Sequence, residues 1–223
     1  MNASAAAGAA APGQPRWRAT RLVQMNAPGT FAAASRRLLR DTLLDGLESL
    51  LAEKDWAKIT MADIARHAGV SRQTVYNEFG TRMGLAQAYA MRLVDRFVAE
   101  IEVSVAAHPG DVESALHDGF VGFFTRAAQD PLIASLLSGE AKPELLRLIT
   151  TDAAPLIASA AGQVAAVLRD SWIGLDEQSS VRTAWLISRT ALSYIAMPPE
   201  PDTDAAADLA TALTPTVIAA RGH

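Results

Sequence analysis

Between Gly69 and Gly80 the chain carries Ser71, Arg72, Gln73, Thr74, Tyr76 and Asn77, a run of polar side chains broken only by Val75. An arginine fork matches the O6 and N7 acceptors of guanine, a glutamine amide matches the N6 and N7 edge of adenine, and threonine or tyrosine hydroxyls suit phosphate oxygens. Arg82 adds a cation just downstream and Thr60 a hydroxyl just upstream. Alone, Arg72 would read as a solvated charge; inside this run it reads as a base contact. Bond breaking has no comparable constellation. The four histidines, His67, His108, His117 and His223, fall at no metal-ligand spacing, and no HExxH, Walker or GxGxxG pattern occurs. Cysteine is absent, which excludes disulfides, thiolate metal sites and cysteine nucleophiles. No catalytic residue, metal or cofactor is expected.

These side chains need rigid elements to aim them. Thr60 is a helix-capping type ahead of a short helix over 61–67, Gly69 supplies a left-handed turn, and Ser71 caps a second short helix over 72–78. Ile64, Ala65, Ala68, Val70 and Val75 are small or branched and let the two helices cross closely. Upstream, Leu39, Leu43, Leu47, Leu50 and Leu51 fall on one face of a helix over 35–55. Downstream, Gly80 and Thr81 open a long helix over 82–107, stopped by His108-Pro109-Gly110.

Helical spacing continues from Asp111 through Phe124, then from Asp130-Pro131 to Gly139, from Lys142 to Thr150, from Pro155 to Trp172 and from Asp176 to Ala196. Thr203 caps a last helix to Ala220, with Pro215 expected to kink it. No segment alternates with period two, so the fold class is all-α. Residues 1–34 read as a disordered basic arm: the first thirty are rich in Ala, Gly and Pro, lack acids and contain Arg16, Arg18 and Arg21. Met25-Asn26-Ala27 repeats Met1-Asn2-Ala3, which leaves a translation start at Met25 open.

Half of the 223 residues are apolar and a fifth are charged, the balance of a soluble globular protein. The apolar runs are short, so no bilayer span is expected, and the Ala-rich start lacks the features of a secretory signal. A cytoplasmic location follows. The net charge of -4 is uneven: residues 1–90 hold eleven Lys and Arg against seven Asp and Glu, whereas residues 91–223 hold nine against seventeen. A basic N-terminal part joined to an acidic remainder suits a DNA reader with a separate sensor.

The stretch 59–85, ITMADIARHAGVSRQTVYNEFGTRMGL, resembles the TetR (tetracycline-repressor-like) family: a capping Thr, Ile-Ala, Ala-Gly-Val-Ser, Thr-x-Tyr, then Phe-x-x-basic-x-x-Leu. The motif covers roughly 35–90; the remainder matches by length and helix order. The resemblance implies a helix-turn-helix DNA-binding domain over 35–80 and a ligand-binding and dimerisation domain over 81–223. It implies a homodimer on double-stranded operator DNA, with repression the family's common mode and activation left open. Arg82 matches the family's phosphate-contacting lysine. Glu78 departs from the histidine many members carry, and a carboxylate there must pair inward to avoid repelling phosphate.

The resemblance further implies a pocket in each subunit and a four-helix dimer interface built from the last two helices. The helix over 176–196 is apolar around much of its circumference, with Val181, Trp185, Ser188, Leu192 and Ile195 on one side and Leu186, Ile187 and Tyr194 on others. Pocket candidates are His117, as a polar anchor, and Phe120, Phe123, Phe124, Trp172, Trp185 and Tyr194, although each also reads as ordinary core. With few charges on inward faces, a small apolar effector, fatty-acyl, alkane-like, steroid or aromatic, fits better than a nucleotide. The helix over 82–107 reads as the only continuous link between the halves, with Arg82 at DNA and Met91, Val94 and Val98 facing the ligand domain. An enzyme and a helical lipid carrier are the rival classes, and salt-dependent DNA binding separates both from a regulator.

Overall fold

The computed structural model describes residues 28–138, 143–200 and 202–221. The arginines at 16, 18 and 21, the Met25 start, Gly139, Lys142 and His223 lie outside the described residues. The chain divides into two compact units, Met1–Arg40 and Asp41–His223. Of the first, residues 28–40 are described, and they are helical.

All regular structure among the described residues is helical: α1 (Pro28–Glu53), a 3-10 turn (Trp56–Lys58), α2 (Met61–His67), α3 (Arg72–Phe79), α4 (Arg82–Ala107), α5 (Val112–Gln129), α6 (Pro131–Leu137), α7 (Pro143–Ile149), α8 (Ala154–Asp170), α9 (Glu177–Ala196) and α10 (Ala205–Arg221). Helix α1 starts at Pro28 rather than Ser35, so residues 28–34, expected in the arm, are helical. Proline is tolerated in a first turn and the alanines at 32–34 are strong helix formers, which explains the earlier start. The last helix begins at Ala205, where Asp204 Oδ1 accepts from the Ala207 N–H at 3.1 Å, so Asp204 takes the capping place expected of Thr203. Helix α10 continues through Pro215.

Leu43, Leu47, Leu50 and Leu51 of α1 are buried as their spacing requires, together with Ile64, Ala65, Val75 and Phe79 from α2 and α3. Beyond them α4 packs on α5 and α8, α8 on α9, and α5 on α10. Their shared core joins Val98, Val105, Phe120, Leu168, Ile187 and Val217. One stretch, Leu145–Asp170, is long and apolar enough by composition to cross a membrane, which corrects the expectation that none is. In the structure it is interrupted at 150–153 between α7 and α8, and Leu145, Leu148, Leu156 and Val164 from it line an internal cavity.

Candidate functional site

The helix-turn-helix is built from its caps outward. Thr60 Oγ1 accepts the Asp63 N–H at 3.2 Å while Asp63 Oδ2 accepts from the Thr60 N–H at 3.0 Å and from its hydroxyl at 2.8 Å, a reciprocal capping box that starts α2. Those hydrogen bonds from the Thr60 hydroxyl and N–H hold the Asp63 carboxyl at about 2. Gly69, at φ 67°, makes the turn, and the Val70 N–H returns to the Ala65 carbonyl at 2.9 Å. Ser71 Oγ accepts the Thr74 N–H at 3.1 Å and lies 2.9 Å from Thr74 Oγ1. Thr60, Ser71 and Thr74 therefore spend hydrogen-bonding capacity on setting the two helices.

The outward row of α3 is different. Arg72, Gln73, Tyr76 and Asn77 are exposed, while Val75 and Phe79 are buried beneath them. Gln73 Nε2 donates to Asn77 Oδ1 at 2.8 Å, which orients both amides on the helix surface. Glu78 is half-buried and engaged.

Arg82 is not simply an outstretched cation. Its guanidinium lies 4.3 Å from the Trp56 ring centroid and donates to the Trp56 carbonyl, so it braces the turn between α1 and α2 against the start of α4. Trp56 is itself buried, and its backbone N–H donates to Ser135 Oγ of α6 at 3.1 Å. Nothing in the sequence flagged Trp56, because its partners are 26 and 79 positions away. Gly84 was also missed: a Cβ there would overlap the Phe79 carbonyl oxygen, so only glycine lets α3 meet α4 this closely. A glycine just inside a long helix, where it is intrinsically costly, was the available signal.

Behind the reader, α4 to α9 enclose a cavity of about 130 Å³. Helix α4 contributes Ala90, Leu93, Val94, Phe97, Val98 and Ile101, and α6 contributes Leu132, Ile133 and Leu136. Of the seven expected pocket residues Phe123 is on this wall, and the other six are not. Phe120 and Phe124 stack 6.2 Å apart in the core, and Tyr194 meets Phe124 edge-on at 5.2 Å. The Trp172 indole donates to the Val105 carbonyl. Trp185 faces outward under Arg189, 5.2 Å from its ring centroid, and His117 is at the surface with Nδ1 3.0 Å from Asp118 Oδ1. Phe120, Phe124, Trp172 and Tyr194 pack between helices and Trp185 and His117 sit at the surface, while the wall is aliphatic apart from Phe97, Phe123 and Ser188. Val94 and Val98 do reach the cavity, whereas Met91 does not.

Helix α4 is also not the only link between reader and cavity. Helix α6 touches the reader through Ser135 and meets α4 through Tyr89, whose hydroxyl donates to Asp130 Oδ2 at 3.0 Å. Asp130 Oδ1 caps α6 by accepting from the Leu132 and Ile133 N–H groups at 2.9 and 3.1 Å. Burial pushes the Asp130 carboxyl above its ordinary range, against the lowering effect of these hydrogen bonds. Helix α1 is tied to α4 by Arg92 and Arg96, which reach Glu48 at 2.7 and 2.9 Å. The Arg96 hydrogen bond holds the Glu48 carboxyl below its usual value, against the raising effect of partial burial.

A capped helix pair presenting an exposed polar row, joined to a helical domain with an apolar cavity, defines a helix-turn-helix regulator. Comparison with known proteins supplies the family. Residues 43–89 match the family described as bacterial regulatory proteins, tetR family, and residues 111–215 match the bacterial tetracyclin repressor, C-terminal domain. The HTH-type transcriptional regulator AlkX of Mycobacterium tuberculosis is 50% identical over 185 residues, covering 83% of this chain and 88% of the relative. The HTH-type transcriptional regulator EthR of Mycolicibacterium smegmatis is 28% identical, covering 77% and 67%. Among solved structures, the TetR family repressor AlkX from Dietzia sp. strain DQ12-45-1b, implicated in biodegradation of n-alkanes, superposes with a TM-score of 0.76 at 41% identity, covering 82% of this chain and 96% of that one. The chain belongs to the TetR family of DNA-binding transcriptional regulators.

Proposed function

We propose that the chain is a cytoplasmic, homodimeric repressor that holds a near-palindromic operator through α3 and is released when a small apolar effector enters the cavity. The observation that carries this reading is the outward row Arg72, Gln73, Tyr76 and Asn77, set on a helix whose inner face is fully committed to the core. Arg72 and Gln73 read base edges, and Tyr76 and Asn77 hold phosphates. Thr60, Ser71 and Thr74 serve mainly by fixing the helix starts, and Arg82 reaches phosphate from its station on Trp56.

The dimer forms through α9 and α10, where Val181, Trp185, Leu186 and Ile218 expose apolar surface that an isolated subunit leaves in water. Two copies of α3 then stand roughly 34 Å apart, in successive major grooves. The effector is hydrocarbon-like, since the cavity wall is almost wholly aliphatic. Its volume of about 130 Å³ limits the effector to a small compound such as a medium-length alkyl chain. The relative implicated in n-alkane biodegradation supports this choice.

Footprinting on the DNA upstream of the chain's own gene, with and without medium-chain alkyl compounds, tests the reading. A protected palindrome that is lost on adding such a compound is the expected result. A protein that sediments as a monomer at micromolar concentration while still binding specifically, or one that no apolar compound releases, sinks it.

A further inference from the structure

Among the described residues that line the cavity, Ser188 of α9 is the one polar side chain. It is 6% exposed, and its Oγ has no hydrogen-bond partner. A serine inside a helix ordinarily bonds the carbonyl four residues back; Ser188 does not, and a buried hydroxyl left unpaired is costly. Its neighbours on the wall, Ile187, Ala191, Leu192 and Ile195, offer it nothing. Among the described residues the wall carries no Lys, Arg or His either. An ionised carboxylate brought into it would lose its hydration with no countercharge.

We propose that the cavity selects a medium-length alkyl compound bearing one neutral oxygen function, an alcohol or aldehyde, through a hydrogen bond with Ser188 Oγ. This rests on the reading of the cavity as the effector site. A plain alkane fills the aliphatic wall but leaves the hydroxyl unpaired, and a second polar group on the ligand would find no partner. The protein therefore senses what an oxygenation makes from a hydrocarbon, rather than the hydrocarbon itself.

The test titrates n-decane, 1-decanol, decanal and decanoate into the full-length protein and its Ser188→Ala and Ser188→Thr variants. Binding is read by tryptophan fluorescence, and the fold is checked by thermal melting. Wild type should prefer 1-decanol and decanal over n-decane. Ser188→Ala should lose about tenfold of that preference while holding n-decane as well as before, and Ser188→Thr should restore it. An unchanged preference in Ser188→Ala, equal binding of n-decane and 1-decanol by wild type, or decanoate binding more tightly than 1-decanol overturns the assignment of Ser188. If none of the four binds, the cavity is not the effector site and both readings fall together.

Discussion

Single side chains decide whether the reader exists at all. Asp63 shows this with a measurable signature: its carboxyl is held at about 2 against an ordinary 3.8 by the hydrogen bonds of Thr60. Because the folded value is depressed, the stabilisation is fully present above the unfolded value and is lost as pH falls from about 4 through about 2. Asp63→Asn should therefore melt earlier than wild type at neutral pH, with the gap closing over that acid window. A gap that persists unchanged at pH 2 refutes the account. Among DNA contacts, Arg72→Ala should cost on the order of 1 to 3 kcal/mol on operator and relax discrimination at one base position, because it removes a donor to a base edge. Equal loss on specific and random DNA would assign Arg72 to phosphate instead. The caps at Thr60 and Ser71 and the turn at Gly69 were legible because capping is local chemistry. The pocket was not: an aromatic residue announces burial but not direction. Hence Phe120, Phe124, Trp172 and Tyr194 went to packing, Trp185 and His117 to the surface, and only Phe123 to the wall.

At the scale of elements, α4 was readable to the residue, because Thr81 caps it and Pro109 ends it. What could not be read was the part played by α6, whose contact with Trp56 spans 79 positions of sequence. Helix α6 lies on the cavity wall with Leu132, Ile133 and Leu136 on one side and Ser135 under the reader on the other. If a ligand in the cavity displaced that wall, the contact of Ser135 with Trp56 would carry the shift to Arg82. Ser135→Ala leaves the buried Trp56 N–H without its acceptor, so it should lower stability by about 1 to 3 kcal/mol and shrink the effect of ligand on operator affinity. Full retention of that ligand effect would return the whole coupling to α4. Asp130 offers a second probe of the same helix. Asp130→Asn keeps an acceptor for the α6 cap and removes a desolvated charge, so it should hold stability close to wild type at neutral pH. Asp130→Ala strands the Tyr89 hydroxyl and two N–H groups and should cost about 1 to 3 kcal/mol. Equal melting of the two variants would show that the cap does not matter.

For the whole molecule, the uneven charge was visible from composition alone. Its consequence is mechanical as well as electrostatic: the basic part reads DNA, and the acidic part carries the cavity. Helix α4 runs between them, with Arg82 at the reader and Leu93, Phe97 and Ile101 on the cavity wall, a rigid rod of roughly 1.5 Å per residue. The ties from Arg92 and Arg96 to Glu48 join α1 to α4. An effector that favours one tilt of this rod changes the spacing of the two recognition helices in a dimer, and it can shift operator affinity only by its difference in affinity for the two tilts. A coupling of about 1 to 3 kcal/mol would loosen the operator complex roughly 5- to 150-fold. Linkage requires the converse, so saturating operator DNA must weaken effector binding by the same factor. Titrating the effector into free protein and into the protein–operator complex, at one salt concentration because phosphate contacts make affinity salt-dependent, measures both sides of the cycle. Equal effector affinity in the two titrations would mean that the compound fills the cavity without acting on DNA. Release of the operator would then have to come from competition at α3 itself.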